Sequence, residues 1–209
     1  MIESFQHFAL LCARSLPILE PVYEFGSWQP PGQGSFADLR PFFPGRKYVG
    51  ADMRDGPGVD CLLNLHHLDL PDSSVGTDLL IAVVEHVEFP RQALAEVYRV
   101  LKPGGWVAIA SHMNFPIHSH PCDYWRFTPE GFRSLLREFS AVVVSQAGDD
   151  SLNPQTVVAI GFKEVAPSTV DFQTELRHWS TRFSRGWRHS LKPFIPPIFL
   201  HVYHRLVPY

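Results

Sequence analysis

Short apolar segments alternate with amphipathic segments along most of the chain. The segment DLLIAVV is almost wholly apolar, as expected for a strand buried on both faces of a parallel sheet. Other short apolar runs have the same character. The pattern predicts strands over residues 21–26, 47–52, 59–63, 78–84, 106–111, 141–148 and 156–163.

Segments with apolar residues at helical spacing separate these runs. They predict helices over residues 2–19, 35–43, 89–102 and 128–139. Ser35 and Thr128 are the expected N-caps of two of them, and Lys102-Pro103-Gly104-Gly105 is expected to end the third. Residues 112–127 form a predicted loop rich in histidine, proline and aromatic residues.

This alternation favours an α/β domain with a doubly wound, mostly parallel sheet. We place that domain at residues 20–165, a flanking or lid helix at 1–19 and a C-terminal extension at 166–209. In such sheets the ligand crevice lies at the carboxyl ends of the strands, so functional residues are expected there.

Composition and charge narrow the function classes. Residues 163–209 carry seven Lys and Arg against three Asp and Glu, a net +4, which leaves −7 on residues 1–162. An acidic body lacks the basic footprint of a nucleic-acid-binding protein. Three scattered cysteines indicate no disulfide framework. With no apolar run of spanning length and no signal-peptide pattern, we predict a cytoplasmic protein.

Polar residues follow the predicted strands in order. The first strand leads to Glu24, Gly26 and Ser27, the second to Asp52, the third to Asn64 and Leu65, the fourth to Glu85 and His86, and the fifth to His112. A glycine here allows a close backbone approach to a ligand, and a carboxylate after the second strand is placed to bind ribose hydroxyls.

Two segments carry a resemblance to a known family. Residues 78–111, with the EHV element and RVLKPGG, and residues 115–136, FPIHSHPCDYWRFTPEGFRSLL, resemble class I S-adenosylmethionine-dependent methyltransferases of type 11. The resemblance spans residues 20–165. It implies a Rossmann-like sheet with an antiparallel final strand and the cofactor S-adenosyl-L-methionine. It also implies methyl transfer to a small molecule or glycan, with O-methylation favoured.

The resemblance also implies a cofactor site. Glu24, Gly26 and Ser27 correspond to the loop that contacts the methionine part, Asp52 to the ribose ligand, and Asn64 with Leu65 to the adenine contacts. Met53 and Val84 are assigned to the same site. One departure stands out. The family loop has the form D/E-x-G-x-G-x-G, and this chain has Trp28 at the position of the second glycine. This residue either joins the core, as we expect, or caps the cofactor.

Histidines are the candidate general bases, since imidazole titrates near neutral pH. His86, His118 and His120 are the catalytic candidates. His118, His120 and Asp123 also form an H-x-H-x-x-D set that is compatible with a metal, but we predict no metal and favour a structural role for the set. Asp123, Tyr124, Trp125 and Arg126 either wall the acceptor pocket or anchor their loop to the core.

The extension has an apolar stripe at helical spacing, formed by Phe172, Leu176, Trp179, Phe183, Trp187 and Leu191, opposite an arc of basic residues. The stripe is expected to pack on the sheet or on a second copy. Peripheral attachment to the inner membrane surface through residues 171–200 is the alternative.

A catalytically silent methyltransferase-fold scaffold is the rival function. The missing G-x-G-x-x-G and G-x-S-x-G motifs count against a dinucleotide oxidoreductase and a hydrolase.

Overall fold

Seven strands form one continuous sheet. The computed structural model of the protein describes residues 2–32, 37–118 and 122–184. Within them the strands are β1 (Val22–Phe25), β2 (Tyr48–Asp52), β3 (Cys61–Leu62), β4 (Val75–Ile81), β5 (Leu101–His112), β6 (Ala141–Ala147) and β7 (Thr156–Phe162).

The strand order is β3-β2-β1-β4-β5-β7-β6. Strands β1 to β5 pair in parallel, whereas β7 lies antiparallel between β5 and β6. The predicted α/β class is confirmed, including the antiparallel final strand. Because the chain turns outward in both directions from β1 and β4, the topological switch point lies between these two strands.

Helices cover both faces of the sheet, which explains the continuous apolar strands. They are α1 (Glu3–Ser15), α2 (Pro90–Val100), α3 (Pro129–Leu135) and α4 (Val170–Ser184). Helices α2 and α3 pack on one face, and α1 and α4 on the other. Every residue of β4 and β7 is consequently buried.

The N-terminal helix and the C-terminal helix form one packed layer. The Trp179 indole N–H donates to the Ser4 carbonyl at 2.9 Å, and the Trp179 ring lies 5.9 Å from the Phe8 ring. Phe172, Leu176 and Trp179 are buried in this layer. The first half of the predicted stripe is therefore occupied by the protein's own core.

Phe183 is partly buried against the same layer, with its ring 5.9 Å from the Trp179 ring. Trp187 and Leu191 lie outside the described residues, as do the basic residues after position 184. No helix in the described ranges has the length and apolar character needed to cross a membrane.

Two predicted boundaries differ in the structure. In the described part of the helix expected at 35–43, Ala37 is helical, and the chain leaves the helix before a 3₁₀ turn at Arg40–Phe42, where Pro41 has no backbone N–H to continue a helix. Ser35, its expected cap, lies outside the described residues. Helix α2 ends at Val100, and residues 102–105 bulge out of β5 between the pairs Val75–Leu101 and Thr77–Trp106.

The α1–α4 layer predicts a large cost for truncating Phe8, whose side chain is fully buried. We expect Phe8→Ala to lower the free energy of unfolding by about 3–5 kcal/mol, because the cavity adds to the lost transfer energy. Arg14→Ala, at an exposed position of the same helix, should change it by no more than about 0.5 kcal/mol. Urea unfolding measures both, and similar values for the two variants would contradict the packing described.

Candidate active site

A cavity of about 600 Å³ opens at the carboxyl edge of the sheet. Its walls come from the segments that follow β1, β2, β3, β4 and β5, together with Ile2 at the start of α1. Eight of the residues assigned from sequence line it: Gly26, Asp52, Met53, Asn64, Leu65, His86, His118 and Tyr124.

The loop after β1 is held against the end of β2. Gly26 has φ +78°, and its backbone N–H donates to the Ala51 carbonyl at 2.8 Å. A Cβ at this position would lie 2.4 Å from Cγ2 of Val83. Glycine is therefore required both by the backbone angle and by the close approach of the loop to the end of β4.

Trp28 occupies the wall of the cavity, which corrects the expectation that it joins the core. Its ring is half-buried under the Arg54 guanidinium, whose carbon lies 4.3 Å from the ring centroid. A Cβ at Gly56 would meet the indole nitrogen at 2.6 Å, so the glycine there makes room for the ring. The second-glycine position is thus filled by a side chain that turns sideways along the wall.

Asp52 ends β2 with a buried carboxylate. It accepts hydrogen bonds from the backbone N–H of Arg54 at 2.9 Å, from the Arg54 side chain at 3.3 Å and from the Trp28 backbone N–H at 3.4 Å. These donors fix the carboxylate at the cavity wall and compensate part of its charge.

Asn64 and Leu65 line the cavity after β3. The Asn64 side-chain oxygen accepts from the backbone N–H of His66 at 2.9 Å, which fixes the amide. Leu65 is nearly buried, whereas Met53 is 62% exposed. The Asn64 amide therefore has apolar surface beside it, from Leu65 after β3 and from Met53 after β2.

Three residues assigned to the cofactor site lie behind its wall. Val84 is in the core, and the Ser27 hydroxyl is buried against Gly50. Glu24 is buried and accepts a hydrogen bond from the Tyr48 hydroxyl at 2.6 Å. Burial raises the pKa of Glu24 to about 7, although the Tyr48 hydrogen bond opposes this shift.

Three histidines lie where the cavity meets the ends of β4 and β5. The His118 ring lies edge-on to His86 and His112, with centroids 4.9 and 6.0 Å apart, and Phe115 stacks on His112 at 4.1 Å. Burial, with the nearby His118 and Arg126, lowers the pKa of His112 to about 3, so this imidazole is neutral. His120, the third catalytic candidate, lies outside the described residues.

The loop that carries His118 is fixed by an ion pair. The Arg126 guanidinium contacts Asp123 through two nitrogens, one at 2.7 Å, and also donates to the Phe115 and Pro116 carbonyls. Arg126 holds the pKa of Asp123 well below its usual range. The Trp125 indole donates to the Val87 carbonyl at 3.0 Å.

These contacts bear on whether the candidate acceptor residues wall the pocket or anchor their loop. The cavity is not lined by Asp123, Trp125 or Arg126, because their polar groups form the hydrogen bonds that hold the loop. Tyr124 does line it and is 45% exposed. Sequence reasoning did not assign Trp28, Val83, Arg54 or Phe115 to the cavity, although each directly follows a strand end or lies one turn beyond it.

Comparison with known proteins agrees with this geometry. A family model described as a methyltransferase domain, type 11, matches residues 47–109. That segment runs from β2 into β5 and contains Asp52, Asn64 and His86. Over this segment the chain matches the methyltransferase domain, and its sheet has the Rossmann-like fold of class I S-adenosylmethionine-dependent methyltransferases.

Solved structures share the fold of this protein. A possible histamine N-methyltransferase from Thermotoga maritima is 18% identical over 76% of this chain and 91% of its own, with a TM-score of 0.54. A SAM-dependent methyltransferase from Archaeoglobus fulgidus is 17% identical over 76% and 94%, with a TM-score of 0.57.

A third structure shows a ligand-bound relative of the fold. The Burkholderia thailandensis 1,6-didemethyltoxoflavin-N1-methyltransferase, with 1,6-didemethyltoxoflavin and S-adenosylhomocysteine bound, is 17% identical over 78% of this chain and 79% of its own, with a TM-score of 0.56. At these identities the likeness establishes the fold. No curated protein matches the sequence.

The cofactor of this methyltransferase family is S-adenosylmethionine, and the cavity suits a molecule of that size. Its volume lies within the roughly 300–1,000 Å³ typical of small-molecule sites. A left-handed glycine, a fixed carboxylate and an amide beside apolar surface line it. Trp28 does not fill it, because the ring lies against Arg54.

The buried Glu24 predicts a pH-dependent stability of the methyltransferase. Its pKa of about 7 in the folded protein exceeds the ordinary value of 4.5, so the folded state binds the proton more tightly than the unfolded chain. The stabilisation is complete below about pH 4.5 and is lost as the pH rises through 7. Glu24→Gln should therefore gain about 2–3 kcal/mol relative to wild type between pH 5 and pH 8.5.

Urea unfolding at the two pH values measures this gain, and Glu138→Gln, at an exposed glutamate, is the matched control. A gain for Glu24→Gln no larger than that of the control would show that Glu24 is ionised in the folded protein.

Proposed function

We propose that this chain transfers a methyl group from S-adenosylmethionine to a hydroxyl of a small molecule or glycan. The observation that carries the proposal is that two sets of side chains from different strand ends line one cavity. The first end, after β1, β2 and β3, has the glycine loop, the carboxylate and the amide. The second end, after β4 and β5, has His86, His112, His118 and Tyr124. A donor and an acceptor bound together in it would meet near the end of β4.

The first end is proposed to hold the cofactor. Asp52 accepts hydrogen bonds from the ribose hydroxyls, and Asn64 recognises the adenine edge between Leu65 and Met53. Gly26 allows the backbone to approach the methionine part. Glu24, Ser27 and Val84 shape this end from behind the wall and do not contact the cofactor directly.

The second end is proposed to hold the acceptor. When bound, the cofactor supplies an electrophilic methyl group, so that a new oxygen–carbon bond forms as the sulfur–carbon bond breaks and the electron pair stays on sulfur. The acceptor hydroxyl must lose its proton, and the histidines assist this loss. His86 and His118 line the cavity and are proposed for this role, together with His120 in the loop of His118.

Exposed aromatic rings near the mouth support a glycan or another ring-bearing acceptor. Tyr124 and Trp125 are 45% and 44% exposed, and Phe89 is 56% exposed beside His66, a residue of the cavity wall. Aromatic faces at an otherwise polar rim pack against the apolar faces of sugars and other rings. The acceptor is therefore expected to lie across the rim with one hydroxyl directed at the histidines.

The cofactor assignment predicts the effect of a single substitution at the ribose position. Asp52→Asn should weaken S-adenosylmethionine binding more than tenfold, because it removes charge-assisted hydrogen bonds. Asp55→Asn makes the same change at an exposed position three residues away and should leave the affinity unchanged. Isothermal titration with the cofactor and with its demethylated product measures both.

Equal affinities in the two variants would mean that the ribose lies elsewhere. Absence of binding to the wild-type chain would instead favour the catalytically silent scaffold, with Trp28 as the reason.

The acceptor class is tested by the release of S-adenosylhomocysteine from panels of hydroxyl, amine and carbon-acid acceptors. We expect turnover with a hydroxyl-bearing sugar or ring compound, with the methyl group found on oxygen in the product. Methylation of an amine alone would overturn the oxygen assignment but leave the methyltransferase function intact.

A further inference from the structure

Two histidines and a carboxylate converge beside the cavity. Glu85 and His86 come from the 3₁₀ turn Val84–His86 after β4, and His118 comes from the loop after β5. One potential ligand atom from each lies within 4.8 Å of the others. This convergence is tertiary, since His118 is far from the other two in sequence.

Glu85 is buried with little compensation. Its side chain is fully buried, and neither carboxylate oxygen accepts a hydrogen bond of normal geometry from the described residues. The nearest guanidinium, on Arg126, is engaged by Asp123. A carboxylate removed from water with no partner is costly, and a bound cation would compensate its charge.

Both imidazoles have an acceptor beside Nδ1, as metal-binding histidines usually have. Nδ1 of His86 lies 2.5 Å from the Cys122 carbonyl, and Nδ1 of His118 lies 3.2 Å from both the Pro116 carbonyl and Oδ2 of Asp123. A proton held on Nδ1 by such acceptors leaves the lone pair on Nε2, which is the arrangement found around protein-bound metals.

We propose that Glu85, His86 and His118 bind a divalent transition-metal ion such as Zn²⁺ or Mn²⁺. Two imidazoles favour such an ion over Mg²⁺ or Ca²⁺, and three protein ligands leave coordination positions open towards the cavity. This set differs from the H-x-H-x-x-D set in the sequence, because Asp123 is already paired with Arg126.

The role of the ion in transfer rests on the proposed function. An acceptor hydroxyl bound to a divalent cation loses its proton more readily than a free one, and the cation fixes the position of the oxygen. His86 and His118 then act as ligands, and the proton passes to solvent or to another base. The metal site itself is testable without any acceptor.

The test is titration of the untagged full chain, stripped by a chelator, with Zn²⁺, Mn²⁺ and Co²⁺. We expect one equivalent of Zn²⁺ or Mn²⁺ to bind, and Co²⁺ to give the visible absorption of an ion with nitrogen and oxygen ligands. Glu85→Gln should weaken binding at least about tenfold, since it removes the only anionic ligand while keeping the side-chain shape.

His178→Asn, which removes an exposed histidine from α4, is the matched control and should bind like wild type. His118→Asn provides a second ligand variant, and thermal unfolding shows whether each variant is folded. Added metal should raise the melting temperature of wild type and of His178→Asn clearly more than that of Glu85→Gln.

Two results would overturn the proposal: no stoichiometric binding of any of the three ions, or equal binding by wild type and Glu85→Gln. Cofactor titration of the metal-free chain separates this outcome from the proposed function. Cofactor binding without metal binding would refute the metal site alone, whereas metal binding without cofactor binding would refute the methyltransferase proposal alone.

Discussion

Parallel pairing of β1 with both β2 and β4 forms the centre of the sheet edge at which the candidate functional groups of this protein lie. Because parallel strands end at the same edge of a sheet, the residues after Phe25, Asp52 and Ile81 are brought together although they are distant in sequence. The close contact of Gly26 with Val83 across this edge shows how tight the arrangement is. Burial of β4 on both faces keeps the edge rigid, so its loops work from a fixed base.

The carboxylates around this edge differ in how their charge is compensated. Asp123 has a guanidinium, Asp52 has three N–H donors, and Glu24 has a phenolic hydroxyl. Neither carboxylate oxygen of Glu85 accepts a hydrogen bond of normal geometry from the described residues. Burial raises its pKa to about 7, although its own amide, Ser111 and Arg126 oppose this shift. This difference separates the carboxyl groups that stabilise the structure from Glu85, which is proposed to bind a metal ion.

The loop after β5 is held by the turn after β4. The backbone N–H groups of Tyr124 and Trp125 both donate to the Glu85 carbonyl, at 2.8 and 3.2 Å. The loop is thereby attached to the same turn that carries His86. Helix α1 reaches the cavity from the opposite face of the sheet through Ile2, so a helix that is mainly part of the core also contributes to the wall.

Periodicity and turn residues in the sequence determined the strands, most helices and the order of polar residues at the strand ends, because these depend on neighbours along the chain. Gly26, Asp52, Asn64 and His86 could be assigned to the site for this reason. The extent of the helix at 35–43 and the bulge at 102–105 depended on pairing and on proline, and were not predicted.

Only the tertiary structure decided which of the assigned side chains reach the cavity. Trp28 lies on the wall because Arg54 stacks on it and Gly56 makes room, and Arg126 is withdrawn from the wall because Asp123 holds it. Glu85 meets His118 because two strands end at one edge. Each outcome depends on contacts between distant segments, whose energies cannot be read from local sequence patterns.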